Sequence, residues 1–305
     1  MICRPMPSLT ARLIRGVIRR RIKPTSISDR FVEQIRKATD GRPPPSMLGR
    51  HVDHRPIGVG EYGRATGEWV GVSASRRHVL YLHGGYYIAG RPRTYRNLAG
   101  RLASGIAAEV LLVDYRLAPE TPHPAALDDA VDAYQGLLDT GVDPAAVAVA
   151  GDSAGGGLAL ALLQRARAEG LPMPGAAVMF SPWVDLTCSG GSIDTNDEND
   201  DMLSAAALRT AAAFYAGHID LNAPGISPLF GDLSGLPPLF VTVDNSETLL
   251  DDSLRLVDRC RAVGGRAELQ QNSGLFHAWP MTAPYVREAR RTLADVVTFL
   301  DHELA

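Results

Sequence analysis

From about residue 78 onward, short apolar runs alternate with longer stretches in which apolar residues recur at helical spacing. "HVLYLHG" (78–84), "EVLLVDYRL" (109–117), "VAVAGDS" (147–153), "AAVMFSP" (176–182), "LFVTVDN" (239–245) and "RAELQQNSG" (266–274) read as strands. Between them lie "YRNLAGRLASGI", "PAALDDAVDAYQGLLDTG", "AGGGLALALLQRARAEG" and "LLDDSLRLVDRCRAVGG", and a last amphipathic stretch runs from about Tyr285 to Glu303; all of these read as helices. Apolar runs of strand length separated by amphipathic helices predict an α/β fold with a mostly parallel central sheet covered by helices on both faces. Gly170 closes the third of these helices.

Two regions break the rhythm. One is residues 1–55, with apolar residues at helical spacing (Leu9, Leu13, Val17 and Ile14, Ile18, Ile22), followed by the turn-rich "GRPPPSMLG". The other is roughly 184–224, where the acidic, Gly/Ser-rich "CSGGSIDTNDENDDM" precedes a helical "SAAALRTAAAFYAGH". Both are expected to form a helical cap. That gives a cap segment at 1–55 and a main α/β domain at 56–305, with a second cap element inserted at about 184–224.

Charge adds one feature. The chain of 305 residues has a net charge of -3, which argues against nucleic acid as a partner. Residues 1–28, however, carry seven Lys/Arg and no Asp or Glu, leaving 24 basic against 34 acidic residues in the remainder. A basic amphipathic helix on an acidic body is expected to pack on the domain, with peripheral contact to a membrane surface as the sharper alternative. No run approaches the ~18 apolar residues of a membrane span, and the arginines interrupt any signal-peptide core. Cys3, Cys188 and Cys260 are too widely spaced for a disulfide framework or a metal site, which suggests a reducing, cytoplasmic setting, with or without membrane association. No metal and no cofactor is expected. "GVGEYG" (58–63) matches a dinucleotide-binding pattern but lacks the preceding apolar strand and the following helix.

The strongest chemical signal is "VAVAGDSAGGG". Gly151-Asp152-Ser153-Ala154-Gly155 satisfies G-x-S-x-G between a buried strand and a helix, the context in which that motif presents a nucleophile. A serine hydroxyl needs a base, and the base needs an orienting carboxylate. Of the histidines after Ser153, His302 falls in the last helix and His218 near the end of the inserted one; His277 falls in a loop between the last strand and the last helix. His277 is therefore the expected base. "LFVTVDNSETLLDD" offers Asp244, Glu247, Asp251 and Asp252 as the acid. Asp251 and Asp252 read as the exposed first turn of a helix, where they suit its dipole; position alone leaves Asp244 and Glu247 open.

"YLHGGYYIAG", "DYRLAPE", "HPAALDDA", "GDSAGG", "SPWVDLT", "SPLFGDLSGLPP" and "FHAWP", in this order and spacing, resemble the hormone-sensitive-lipase-like carboxylesterases of bacteria, a group within the α/β-hydrolase fold. The resemblance covers most of the chain after about residue 75. It implies a serine carboxylesterase acting on short- to medium-chain acyl esters through an acyl-enzyme, with Ser153 as nucleophile and His277 as base. It also implies Glu247 as acid, because "ETLLD" lies where the family's acid precedes a D-P-L-R-D-like segment. Backbone N–H groups of Gly84, Gly85 and Ala154 are implied as the oxyanion hole, with His83 anchoring their loop, and a two-part cap is implied as well. Serine hydrolysis of an amide, formamide or lactone, or ligand binding without catalysis, are the alternatives on the same fold. A small acyl ester is the expected partner, and a homodimer is compatible with the family.

Tyr86 departs from the family's H-G-G-G by replacing the third glycine. A Cβ there restricts the backbone. The rings of Tyr86 and Tyr87 either narrow the acyl pocket or pack under the cap. Trp183 and Phe214 are further candidates for the pocket lining.

Overall fold

The structure, a computed structural model, describes residues 7–21, 23–24, 26–39, 53–62, 65–71 and 74–304. Cys3, Ile22 and the turn-rich segment at 41–49 lie outside them. Two helices come first, α1 (Leu9–Arg21) and α2 (Asp29–Thr39), then a hairpin of β1 (Asp53–Tyr62) and β2 (Ala65–Gly71). The alternating part follows as β3 (Arg77–Leu82), α3 (Pro92–Ile106), β4 (Ala108–Val113), α4 (Ala125–Asp139), β5 (Val147–Asp152), α5 (Ala154–Ala168) and β6 (Ala176–Phe180). A short α6 (Ser192–Thr195) and α7 (Ala205–Ala216) precede β7 (Leu239–Asp244), α8 (Leu250–Ala262), β8 (Ala267–Asn272) and α9 (Arg287–Glu303).

The strands form one sheet in the order β1-β2-β4-β3-β5-β6-β7-β8. β3 to β8 are mutually parallel, and β1–β2 and β2–β4 are antiparallel. All six strands of the sequence reading are present in the parallel part. The hairpin was not foreseen: "GVGEYG" lies within or next to β1, an edge strand held by its ladder to β2 rather than by an apolar run of its own.

Side chains alternate across the sheet as the pleat requires. Leu80, Leu82, Leu111, Val149 and Met179 point to one face, where they pack with Leu127, Leu158, Leu162 and Leu256 of α4, α5 and α8. Val79, Tyr81, Val110, Leu112 and Val178 point to the other, against Leu98, Leu102, Leu293 and Leu300 of α3 and α9. Burial on both faces makes these strands continuously apolar and therefore legible. The parallel arrangement places the carboxyl ends of β3, β5, β6, β7 and β8 on a single edge of the sheet.

Both N-terminal helices dock on this edge. In α2, Arg36 donates to the carbonyls of Ile88 and Ala118 at 2.8 and 2.9 Å and forks onto Glu120. From α1, Arg15 meets Asp201 at 2.5 Å, and Lys23 beyond it donates to the carbonyls of Asp197 and Asp200. The basic N-terminus and the acidic insertion thus satisfy each other in part. Cys188 and Cys260 are buried free thiols.

Candidate active site

Ser153 follows β5 directly and is the N-cap of α5, with φ 53° and ψ -122°. A non-glycine residue there is strained, typically by ~1–3 kcal/mol. The turn is held by its neighbours. Ser153 N–H donates to Phe180 O at 2.9 Å, and Ser153 O accepts from Trp183, Gly156 and Gly157. The flanking glycines are required by close approach: a Cβ on Gly155 would lie 2.1 Å from Leu82 O, and one on Gly151 would lie 2.3 Å from Gly155 O. The serine stands at a helix N-terminus, where unpaired amides and the dipole favour negative charge.

His277 is buried in the loop after β8, and its Nδ1 lies 2.6 Å from Glu247 Oε2. Glu247 Oε1 accepts from Ser181 Oγ at 2.9 Å and from Asp244 N–H at 2.7 Å. Ser181 Oγ also accepts from Ala278 N–H. The end of β6 therefore ties the pieces together: Phe180 holds the serine turn, and Ser181, next to it, holds the carboxylate and the peptide after the imidazole. His277 Nε2 is buried without a hydrogen-bond partner among the described residues. A closed bond from Ser153 Oγ to Nε2 is not among the hydrogen bonds formed.

Asp244 is used otherwise. Its Oδ2 accepts from Leu275 N–H at 2.8 Å and its Oδ1 from Ser246 N–H and Oγ, so it shapes the two loops rather than touching the imidazole. The expectation for Asp252 fails. It is fully buried, its Oδ2 accepts from Val184 and Asp185 N–H, and burial together with the Asp185 charge pushes its carboxyl up to about 8. Asp251 accepts from Ser192 N–H across the insertion.

Burial disfavours the imidazolium at His277, but the Glu247 hydrogen bond and charge outweigh it, with Asp200 and Asp152 adding in the same direction, so its proton affinity is raised. Burial also raises the Glu247 carboxyl, against the hydrogen bonds and charge that hold it ionised. Asp200 escaped the sequence reading. It is buried in the acidic insertion, and its Oδ2 accepts from Thr248 N–H and Oγ1, immediately after Glu247. Asn196 adds a bond to Glu247 O. Ser181 and Asp152 were also missed as supports; only their places beside Phe180 and Ser153 hinted at them.

The loop after β3 requires a correction at Gly84. Its N–H donates to Tyr95 Oη at 2.9 Å and Asp152 Oδ1 at 3.0 Å, so it is not available to an oxyanion. Asp152 also accepts from the hydroxyls of Tyr81 and Tyr95, and burial, despite these donors, raises its carboxyl to about 6. The N–H groups of Gly85, Tyr86 and Ala154 have no acceptor among the described residues. His83 stacks on Tyr115 at 4.2 Å, its Nδ1 lies 2.9 Å from Gly84 O, and burial lowers its proton affinity to a value of about 4. It is a neutral anchor.

The four pocket candidates separate. Trp183 is 0% exposed and Tyr87 1%, so neither presents surface to a water-sized cavity. Tyr87 stacks on Tyr215 of α7 at 3.7 Å, which is packing under the inserted helix. Tyr86 is 7% exposed, its hydroxyl has no hydrogen-bond partner among the described residues, and Phe214 is partly buried.

A parallel sheet covered on both faces, with a strained strand-to-helix turn and a carboxylate–imidazole pair at its carboxyl edge, defines a hydrolase of the α/β type. Residues 79–281 match the family model described as alpha/beta hydrolase fold. The chain is 42% identical over 246 residues to an acetyl-hydrolase of Streptomyces hygroscopicus, covering 80% of this chain and 82% of that one. Among solved structures, an esterase from the bacterial hormone-sensitive lipase (HSL) family superposes with a TM-score of 0.89 at 36% identity, over 99% of this chain and 100% of that one. A double mutant of the esterase E40 does so with a TM-score of 0.89 at 37% identity, over 98% and 99%. The chain belongs to the α/β hydrolase fold family, among its hormone-sensitive-lipase-like esterases, and is a carboxylic ester hydrolase.

Proposed function

We propose that the protein hydrolyses short- to medium-chain acyl esters through an acyl-enzyme on Ser153, with His277 as base, Glu247 as its orienting acid, and α1, α2 and the 184–224 insertion as a cap. The observation that carries this reading is the 2.6 Å bond from Glu247 to His277 Nδ1, which leaves Nε2 without a partner among the described residues, on a loop held by Ser181 next to the Phe180 that holds the serine turn. With the proton of neutral His277 held on Nδ1 by the carboxylate, Nε2 presents its lone pair. Ser153 Oγ attacks the ester carbonyl as Nε2 takes its proton. The tetrahedral oxyanion is stabilised by the free N–H groups of Gly85, Tyr86 and Ala154. Collapse expels the alcohol, which receives the proton from Nε2. Water then attacks the acyl-enzyme, giving its proton to His277, and the acid leaves as Ser153 recovers its own. Tyr86 narrows the acyl end of the site, and the likeness to an acetyl-hydrolase supports a small acyl group.

Hydrolysis of p-nitrophenyl esters of increasing acyl length, with an anilide alongside, tests this in the wild type and in Ser153→Ala. Loss of all ester turnover in the variant is expected. Turnover that survives the substitution removes Ser153 from the mechanism, and anilide cleavage matching that of the esters redirects the substrate class to amides.

A further inference from the structure

We propose that the outward face of α1 is a docking surface for an anionic phospholipid bilayer. Of the large hydrophobic side chains exposed among the described residues, three lie on this one helix: Leu9 at 71%, Leu13 at 64% and Val17 at 56%. They stand at i, i+4 and i+8, a single stripe at about 100° per residue. Ala11 and Ile18 on the opposite side are buried, so the helix is already seated on the protein and the stripe is left over. It is not the core-facing side of an amphipathic helix; it is a second apolar face.

The seat is firm. Ser8 donates through its N–H and Oγ to Glu288 at 2.9 and 2.8 Å, and Arg15 pairs with Asp201. Pro7 abuts Gly274, where an added Cβ would lie 2.4 Å from its Cγ. These contacts fix α1 beside the loop that leads to His277 and the insertion that carries Asp200, at the carboxyl edge of the sheet.

Charge selects the occupant. Arg12 and Arg20 are exposed on the same outward half, and the guanidinium of neither forms a hydrogen bond or ion pair with the described residues. No acidic residue occurs in residues 1–28, whereas the rest of the chain carries 34 acidic against 24 basic residues. An anionic surface therefore attracts this face and repels the body, which orients the molecule with α1 toward the lipid. A second copy of the chain would have to oppose two such basic faces across a two-fold axis. No helix of the described residues is long and apolar enough to cross a membrane, so the contact is peripheral.

Co-sedimentation of the full chain with vesicles tests the inference. The vesicles are phosphatidylcholine alone, or phosphatidylcholine with phosphatidylglycerol, at low and at high salt. Binding to the phosphatidylglycerol vesicles is expected, weakened by salt. Leu13→Ser with Val17→Ser should lower the partition coefficient by about tenfold or more. Arg12→Glu with Arg20→Glu should lower it by about fivefold or more per arginine and abolish the preference for phosphatidylglycerol. Both double variants should keep the wild-type melting temperature and the wild-type hydrolysis of a soluble ester, which separates this result from any failure of the proposed mechanism. Absence of vesicle binding, or binding that neither variant changes, overturns the proposal. So does concentration-dependent self-association without vesicles that Leu13→Ser with Val17→Ser abolishes while no vesicle binding is seen, because the stripe is then a dimer contact.

Discussion

Replacing Glu247 by glutamine keeps the volume of the side chain and reverses one hydrogen bond. Glu247 Oε1 accepts from the hydroxyl of Ser181 and the amide of Asp244, and Oε2 faces His277 Nδ1 at 2.6 Å. The Asp244 N–H is a fixed donor at 2.7 Å, so the glutamine carbonyl must take the Oε1 position. Its NH2 group then faces Nδ1, where only a lone pair fits. The imidazole proton moves to Nε2, and the base has nothing to accept with. An imidazole held in the wrong tautomer costs on the order of 10⁴ in kcat, equivalent to about 5.4 kcal/mol of barrier. Folding is far less affected. Two of the three bonds survive, and exchanging one charged hydrogen bond for a neutral one costs about 1–2 kcal/mol, a fall in Tm of a few degrees.

The assay is kcat on p-nitrophenyl acetate, read against Ser153→Ala as the floor. Glu247→Gln combined with Ser153→Ala should lose nothing further, since groups acting as one unit are not additive. Asp244→Asn is the contrasting variant. It disturbs the peptide at Leu275, two residues from the imidazole, and a misplacement of that kind costs at most on the order of 10². A Glu247→Gln enzyme within about tenfold of the wild type, or an Asp244→Asn enzyme as inactive as it, would refute the assignment.

Asp200→Asn removes a buried negative charge that raises the proton affinity of His277. kcat/KM requires the neutral imidazole and rises as His277 deprotonates, so its acid limb should move to lower pH; an unmoved limb with reduced amplitude would leave Asp200 with only its grip on Thr248. Tyr86→Gly relieves a left-handed backbone worth about 1–2 kcal/mol but removes a buried ring worth about 3–5 kcal/mol, so its Tm should fall by several degrees, while the ratio of kcat/KM for octanoate over acetate esters should rise by about tenfold. An unchanged ratio takes Tyr86 out of the acyl pocket. Gly155→Ala drives a Cβ to 2.1 Å from Leu82 O and 2.5 Å from His83 O, backbone atoms that cannot swing aside. A loss of about 3 kcal/mol or more in urea unfolding is expected, and a near-normal midpoint would show that the elbow packs more loosely.

Fold and site were legible in the sequence where burial or a motif wrote itself into residue type. Five of the six parallel strands, β3 to β7, were legible because both of their faces are covered; β8, "AELQQN", is only partly buried and was read without an apolar run. The β1–β2 hairpin was not, because its strand character comes from a ladder, and "DHRPIGVGEY" carries no apolar run. Ser153 and His277 were singled out by motif and by chain order. Asp244 and Glu247 stayed open on position because they lie three residues apart at the end of β7; what separates them is that the bonds of Asp244 are spent on Leu275 and Ser246. Asp252 looked like an exposed first-turn residue, and only the tertiary approach of Val184 and Asp185 buries it. Asp200 was hidden in an acidic run whose members look alike until one of them is seen to hold Thr248.

The H-G-G-Y segment shows the same limit and resolves it. Glycine at a position states that something cannot be there, but not what. At Gly84 it is Asp152: a Cβ would lie 2.3 Å from Asp152 Oδ2, the same carboxylate that takes the Gly84 N–H. At Gly85 it is the backbone, with a Cβ 2.2 Å from Ala89 O and φ at +126°. Residue 86 needs only a left-handed backbone, φ 58°, which a side chain tolerates at about 1–2 kcal/mol. Tyrosine is therefore admissible at the third position and not at the first two. Its N–H has no acceptor among the described residues, as the proposed oxyanion role requires, and in the proposed mechanism its ring walls the acyl end of the site.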